Sequence, residues 1–116
     1  MSDDVALSLL KLEIERSGNE AIVRCHGKLV AGVNDFLYAE VSRLIPETKR
    51  IVLDLTDLTQ MDSMGLGALV RLYVSATSAG CDLVLVNLGK KIRQLLGVTN
   101  LLSVFTIVGE NGIRMP

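Results

Sequence analysis

Tryptophan is absent from this chain of 116 residues, and the aromatic side chains number four: Phe36, Tyr38, Tyr73 and Phe105. So few rings leave no stacking platform for single-stranded nucleic acid, and they require a core built from aliphatic side chains. An excess of one charge is also missing. Twelve basic against thirteen acidic residues give a net charge of −1, which removes the electrostatic footprint expected of a partner for nucleic acid or anionic lipid. No apolar run approaches the roughly 20 residues of a membrane-spanning helix. The opening Met1-Ser-Asp-Asp-Val is acidic and lacks the basic-then-apolar form of a secretion signal. The two cysteines, Cys25 and Cys81, sit in apolar, strand-like runs and read as small buried thiols rather than a disulfide or a metal site. These absences predict a reduced, cytoplasmic protein without cofactor, metal, nucleic-acid or membrane partner, with its oligomeric state open.

What the chain does have is apolar residues, 49% of the total with a mean hydropathy of +0.42. That is enough for one well-filled domain over residues 1–116, burying roughly two-thirds of its unfolded surface. Leu7–Glu15 alternates apolar and polar residues as a half-buried strand does, Ser17-Gly18-Asn19 is a turn, and Ala21–His26 is a second strand. Together they predict an N-terminal β-hairpin. Asn34–Ile45 carries Leu37, Val41, Leu44 and Ile45 on one helical face, with Asn34 as N-cap and Pro46 as the stop. Ile51–Leu55 and Leu83–Val86 read as buried strands and Val104–Val108 as a last one. Met64–Ala79, closed by Gly80, and Lys90–Leu96, with Ile92, Leu95 and Leu96 inward, read as helices. Strands alternating with helices predict parallel pairing through right-handed crossovers after the hairpin.

Parallel βα units deliver every strand-to-helix loop to the carboxyl edge of the sheet. Lys28–Asn34, Thr56–Ser63 and Asn87–Lys91 are therefore expected on one edge, with Ser63 near both neighbouring loops. Ser63 follows Asp62 at the mouth of a helix, where unpaired backbone N–H groups tolerate negative charge. The pair has a plain reading as well, since Ser and Asp are both favoured helix caps. From Met64 to Ala79 the helix has one charged residue, Arg71, and many small ones, including Gly65 and Gly67. A helix so poor in charge is either well covered by its own fold or suited to a close partner. Lys90, Lys91 and Arg93 form the densest basic cluster, by default a solvated face, though lysine at a helix start is electrostatically disfavoured. A hydrolase elbow would need Gly two residues before the serine, where Met61 stands. No P-loop, dinucleotide fingerprint or metal-ligand cluster is present in the sequence, and His26 on an apolar strand reads as structural. The expectation is a binding module, not an enzyme.

In their order along the chain, Gly27-Lys-Leu29, Val52-Leu-Asp-Leu, Met61-Asp62-Ser63-Met64-Gly65-Leu66-Gly67 and the run from Ile92 to Ile107 resemble the STAS domain of the anti-sigma factor antagonist family, over residues 8 to 108 or so. The resemblance implies an α/β fold: a STAS-like mixed sheet with an N-terminal hairpin, then parallel βα units, with helices packed on the sheet. It also implies a partner-switching function. Family members bind a serine-kinase anti-sigma factor, are switched off when it phosphorylates the motif serine, and are reset by a PP2C-type phosphatase. Ser63 matches the phosphorylated serine and Asp62 its acidic neighbour, while Gly65 and Leu66 match the start of the following helix. Asp62, Met64, Gly65, Leu66, Gly67 and Lys91 are the expected partner-binding residues. Met64 stands where the family commonly has a small residue, and Val30 where it commonly has an acidic one. Those two departures leave a second reading, an interaction domain of the same fold that is never phosphorylated, as in a scaffold or a transporter accessory protein.

Overall fold

The computed structural model describes residues 9–99, 105–108 and 114–115. Strands β1 (Leu10–Ser17) and β2 (Glu20–Leu29) form the expected antiparallel hairpin. Its turn places Gly18 at φ 60°, a left-handed conformation that glycine adopts without strain. Then follow α1 (Asn34–Ser42), a single 3-10 turn (Ile45–Glu47), β3 (Arg50–Met61), α2 (Ser63–Ser78), β4 (Asp82–Val86), α3 (Lys90–Val98), β5 (Thr106–Val108) and β6 (Arg114–Met115). The sheet runs β1-β2-β3-β4-β5-β6 in space. β2, β3, β4 and β5 are parallel, and antiparallel pairs close both ends.

Because the strand order never reverses, right-handed crossovers place all three helices on the same face of the sheet. Burial follows that geometry. Ala21, Val23 and Cys25 of β2 and Ile51, Leu53 and Leu55 of β3 are buried, while the alternate Ile22, Arg24, His26, Val52 and Asp54 remain partly exposed. Leu37 and Val41 of α1 and Leu69 and Leu72 of α2 fill the space above the sheet. The core is aliphatic, as the shortage of rings requires; among the described residues one pair of rings meets, Phe105 edge-on to Tyr73 with centroids 5.3 Å apart.

Several boundaries differ from expectation, each for a local reason. β3 does not end at Leu55 but continues to Met61, because β2 also runs on to Leu29 and pairs with it, Leu29 opposite Met61. Two register shifts, between Arg24 and His26 and between Gly27 and Lys28, accommodate the polar residues that made this stretch look like a loop. α1 stops at Ser42, and Leu44 and Ile45 stay buried in and beside the 3-10 turn that holds Pro46. The N-cap of α1 is Val33, without a side-chain cap; Asn34 lies inside the helix and its Oδ1 accepts from the Gly32 N–H at 3.3 Å. Leu95 of α3 is half-buried while Ile92 and Leu96 are buried. β6 had no counterpart in the sequence reading. The expected strand starts at Leu7 and Val104 lie outside the described residues.

Candidate functional site

Asp62 is the single residue between β3 and α2, and it is extended, with φ −111° and ψ −174°. From there its carboxylate serves both sides of the turn. Oδ1 accepts from the N–H groups of Met64 at 2.9 Å and Gly65 at 3.0 Å, which makes Asp62 the N-cap of α2. Oδ2 accepts from the Ala31 N–H at 3.0 Å, and the Asp62 N–H donates to the Leu29 carbonyl at 3.3 Å. The loop after β2 is thereby tied to the loop after β3, as the parallel topology requires. The hydrogen bond from Ala31, then those from Gly65 and Met64, hold the carboxyl below the usual carboxylate range.

The helix entrance is therefore not an open set of N–H groups, as the sequence alone implied. Asp62 already fills it. Ser63 is the first residue of α2 and is exposed, beside a carboxylate rather than facing unpaired donors. Met64 is 51% exposed next to it.

The remaining candidates separate into surface and interior. Gly65 is buried; a Cβ there would collide with the Leu29 carbonyl oxygen and come within 2.7 Å of the Leu29 Cγ. Leu66 is 7% exposed and belongs to the core. The expectation that these two touch a partner meets the fact that neither presents much surface: they seat α2 on the end of β2. Gly67, one turn above Ser63, is half-buried with open space over its Cα. Arg71, the lone charge on the helix, lies over the Tyr38 ring at 4.1 Å and 3.3 Å from Asp35, and Tyr38 Oη lies 2.9 Å from Ser75 Oγ. This charge is thus turned towards α1, and the exposed strip of α2 is apolar at Met64 and again at Val74.

Lys91, exposed near the start of α3, lines a cleft of about 320 Å³ between the end of β3 and the first turn of α3. Thr59 and Gln60, which line the cleft with it, fall within the Thr56–Ser63 segment that the sequence reads as a connection. Behind the cleft, Asn87 in a left-handed conformation, φ 59°, donates from Nδ2 to Thr56 Oγ1 at 2.8 Å, and Thr56 in turn bonds Asp54. Burial alone would raise the Asp54 carboxyl, but hydrogen bonds from Thr56 and Asn87 and the charge of Arg24 outweigh it and hold it low.

His26 lies on the sheet between two carboxylates, Nε2 2.5 Å from Glu13 Oε1 and Nδ1 3.0 Å from Asp57 Oδ2. Despite that proximity the buried Nε2 makes no hydrogen bond among the described residues. Its partners are thus strand residues of the hairpin and of β3. Both cysteines are buried, and burial, helped by the nearby Asp54 charge, pushes the Cys25 thiol up to about 12, where it is inert at neutral pH. Among the described residues no helix is long and apolar enough to cross a membrane.

Known proteins share this fold. An anti-sigma F factor antagonist from Paenibacillus polymyxa is 27% identical over 100 residues, covering 84% of this chain and 86% of the relative. The crystal structure of an anti-sigma factor antagonist from Mycobacterium paratuberculosis superimposes with a TM-score of 0.75 at 18% identity, over 84% of each chain. The Bacillus cell fate determinant SpoIIAA in its phosphorylated form superimposes with a TM-score of 0.69 at 18% identity, over 87% of this chain and 94% of that one. The model of the STAS domain matches residues 11–111. With the hairpin-led parallel sheet, the Asp62-capped turn and a match over most of its length, this chain belongs to the STAS domain family.

Proposed function

We propose that this domain is an anti-sigma factor antagonist, a cytoplasmic protein-binding module that sequesters a serine-kinase anti-sigma factor and is inactivated when that kinase phosphorylates Ser63. The observation that carries this reading is the exposed Ser63 hydroxyl at the first position of α2, next to a carboxylate that has taken the helix-entrance N–H groups. A phosphate brings about −1.5 to −2 charges and three acceptor oxygens. Here it adds to the Asp62 charge instead of being absorbed by the helix. Unmodified, the surface formed by Ser63, Met64 and the open side of Gly67 has no formal charge, and its close approach to a partner costs little desolvation. Modified, it carries a concentrated negative charge that the same partner would have to desolvate. A hundredfold loss of affinity needs only about 2.8 kcal/mol.

The Paenibacillus relative, an anti-sigma F factor antagonist, supports the choice of partner class. The phosphorylated SpoIIAA structure supports the choice of modification. A PP2C-type phosphatase would return the domain to its binding form. The direct test incubates the chain with ATP and each candidate serine kinase encoded beside it, followed by mass spectrometry. Phosphate at Ser63, abolished in Ser63→Ala, is the expected result. A kinase that binds the chain tightly yet never modifies Ser63 would leave the non-switching interaction domain as the correct reading.

A further inference from the structure

The β3–β4 ladder stops at Asp54 opposite Val86, where Asn87 turns the chain away, yet β3 continues to Met61 supported by β2 alone. Residues 57–61 therefore form a strand with one paired side. On the other side no ladder partner is present among the described residues. That unpaired side borders the cleft: residues 58–61 make one wall and residues 89–92 the other. None of these eight residues is acidic, and Lys90 and Lys91 are exposed on the far wall.

We propose that this cleft takes an extended, acidic peptide segment of a protein partner, which adds as a short strand along residues 57–61 of β3 and places its carboxylates on Lys90 and Lys91. Three features support that occupant. A strand edge with unused N–H and C=O groups is a template for main-chain pairing, and five residues are a sufficient length for a strand. The two lysines open a helix, the end where positive charge is unfavourable, so an acidic guest relieves a standing repulsion. Leu58, buried, and Met61, half-buried, give the cleft an apolar floor that a small, fully hydrated anion would not use. The cleft ends one residue before Asp62, so a guest strand would run beside the Ser63 surface, but its binding does not depend on Ser63 being modified.

The test titrates the full chain, ¹⁵N-labelled, with a capped pentapeptide of alternating glutamate and valine. A lysine–valine counterpart, the glutamate–valine peptide with N-methylated amides, and inorganic phosphate serve as comparisons. The expected result is a set of amide shifts at both residues 57–61 and residues 89–92 with the acidic peptide alone. Affinity should fall about tenfold or more in the Lys90→Glu/Lys91→Glu double variant, since paired charges across such a contact are then reversed. It should fall comparably on N-methylation, which keeps the charge and removes the main-chain donors. Shifts confined to residues 89–92, equal binding of the N-methylated peptide, reproduction of the pattern by phosphate, or no shift at millimolar peptide would each overturn the proposal.

Discussion

Asp62 combines three jobs in one carboxylate: it caps α2, it tethers Ala31, and it fixes the neighbourhood of Ser63. Replacing a capping Asp by Ala costs about 1 kcal/mol in most settings. Asp62→Ala is therefore expected to lose roughly 1–2 kcal/mol in urea unfolding, because the Ala31 tether is lost together with the cap. The pH dependence has a definite sign. The folded carboxyl is held below its ordinary value of 3.8, so Asp62 contributes stability above that value. The contribution is lost as pH falls through the depressed folded value. An Asp62→Asn variant should accordingly show a flatter acid limb in stability against pH than the parent. An identical acid limb would mean that the carboxylate's hydrogen bonds do not favour its charged form. At this scale the sequence was half legible: Asp before a helical run advertises a cap, but its second oxygen reaching Ala31 depends on a contact across 31 positions that no local pattern encodes.

The two glycines at the start of α2 make opposite predictions, and they separate packing from surface. At Gly65 a methyl group would strike the Leu29 backbone, so Gly65→Ala should destabilise by about 1–3 kcal/mol, as overpacking does, despite the better helix propensity of alanine. At Gly67 the space is open, so Gly67→Ala should stabilise by up to about 1 kcal/mol while obstructing close approach of a partner. Calorimetric or urea midpoints for the two variants, moving in opposite directions, check both. Helices and buried strands were readable from apolar spacing: α2 starts and ends within one residue of the expected Met64–Ala79. The extension of β3 was not. Leu58 is the one buried residue between Thr56 and Met61, and the two register shifts against β2 break the alternation that marks a regular strand. That hidden extension forms one wall of the cleft, which is why the cleft also escaped notice.

For the molecule as a whole, a sheet whose order never reverses gathers three loops on one edge, and Ala31, Asp62 and Asn87 show the hydrogen bonds that join strand ends there. Strand–helix alternation made this arrangement foreseeable, as did the Asp-Ser-x-Gly-Leu motif. The proposed docking surface sits on the exposed end of α2, with Ser63 and Met64 outside the core that begins at Gly65. A negative charge at Ser63 should therefore leave the fold intact. Ser63→Asp is expected to shift unfolding free energy by no more than about 0.5 kcal/mol, the usual range for surface substitutions, and a larger loss would place Ser63 in the folding core rather than on its surface. The most direct measurement is isothermal titration calorimetry of the cognate serine kinase against the unmodified chain and against the same chain phosphorylated at Ser63. The expected result is a complex weakened about a hundredfold or more by the phosphate, a difference of at least 2.8 kcal/mol or so, between two equally folded proteins. Equal affinities for the two forms would contradict a switch at Ser63.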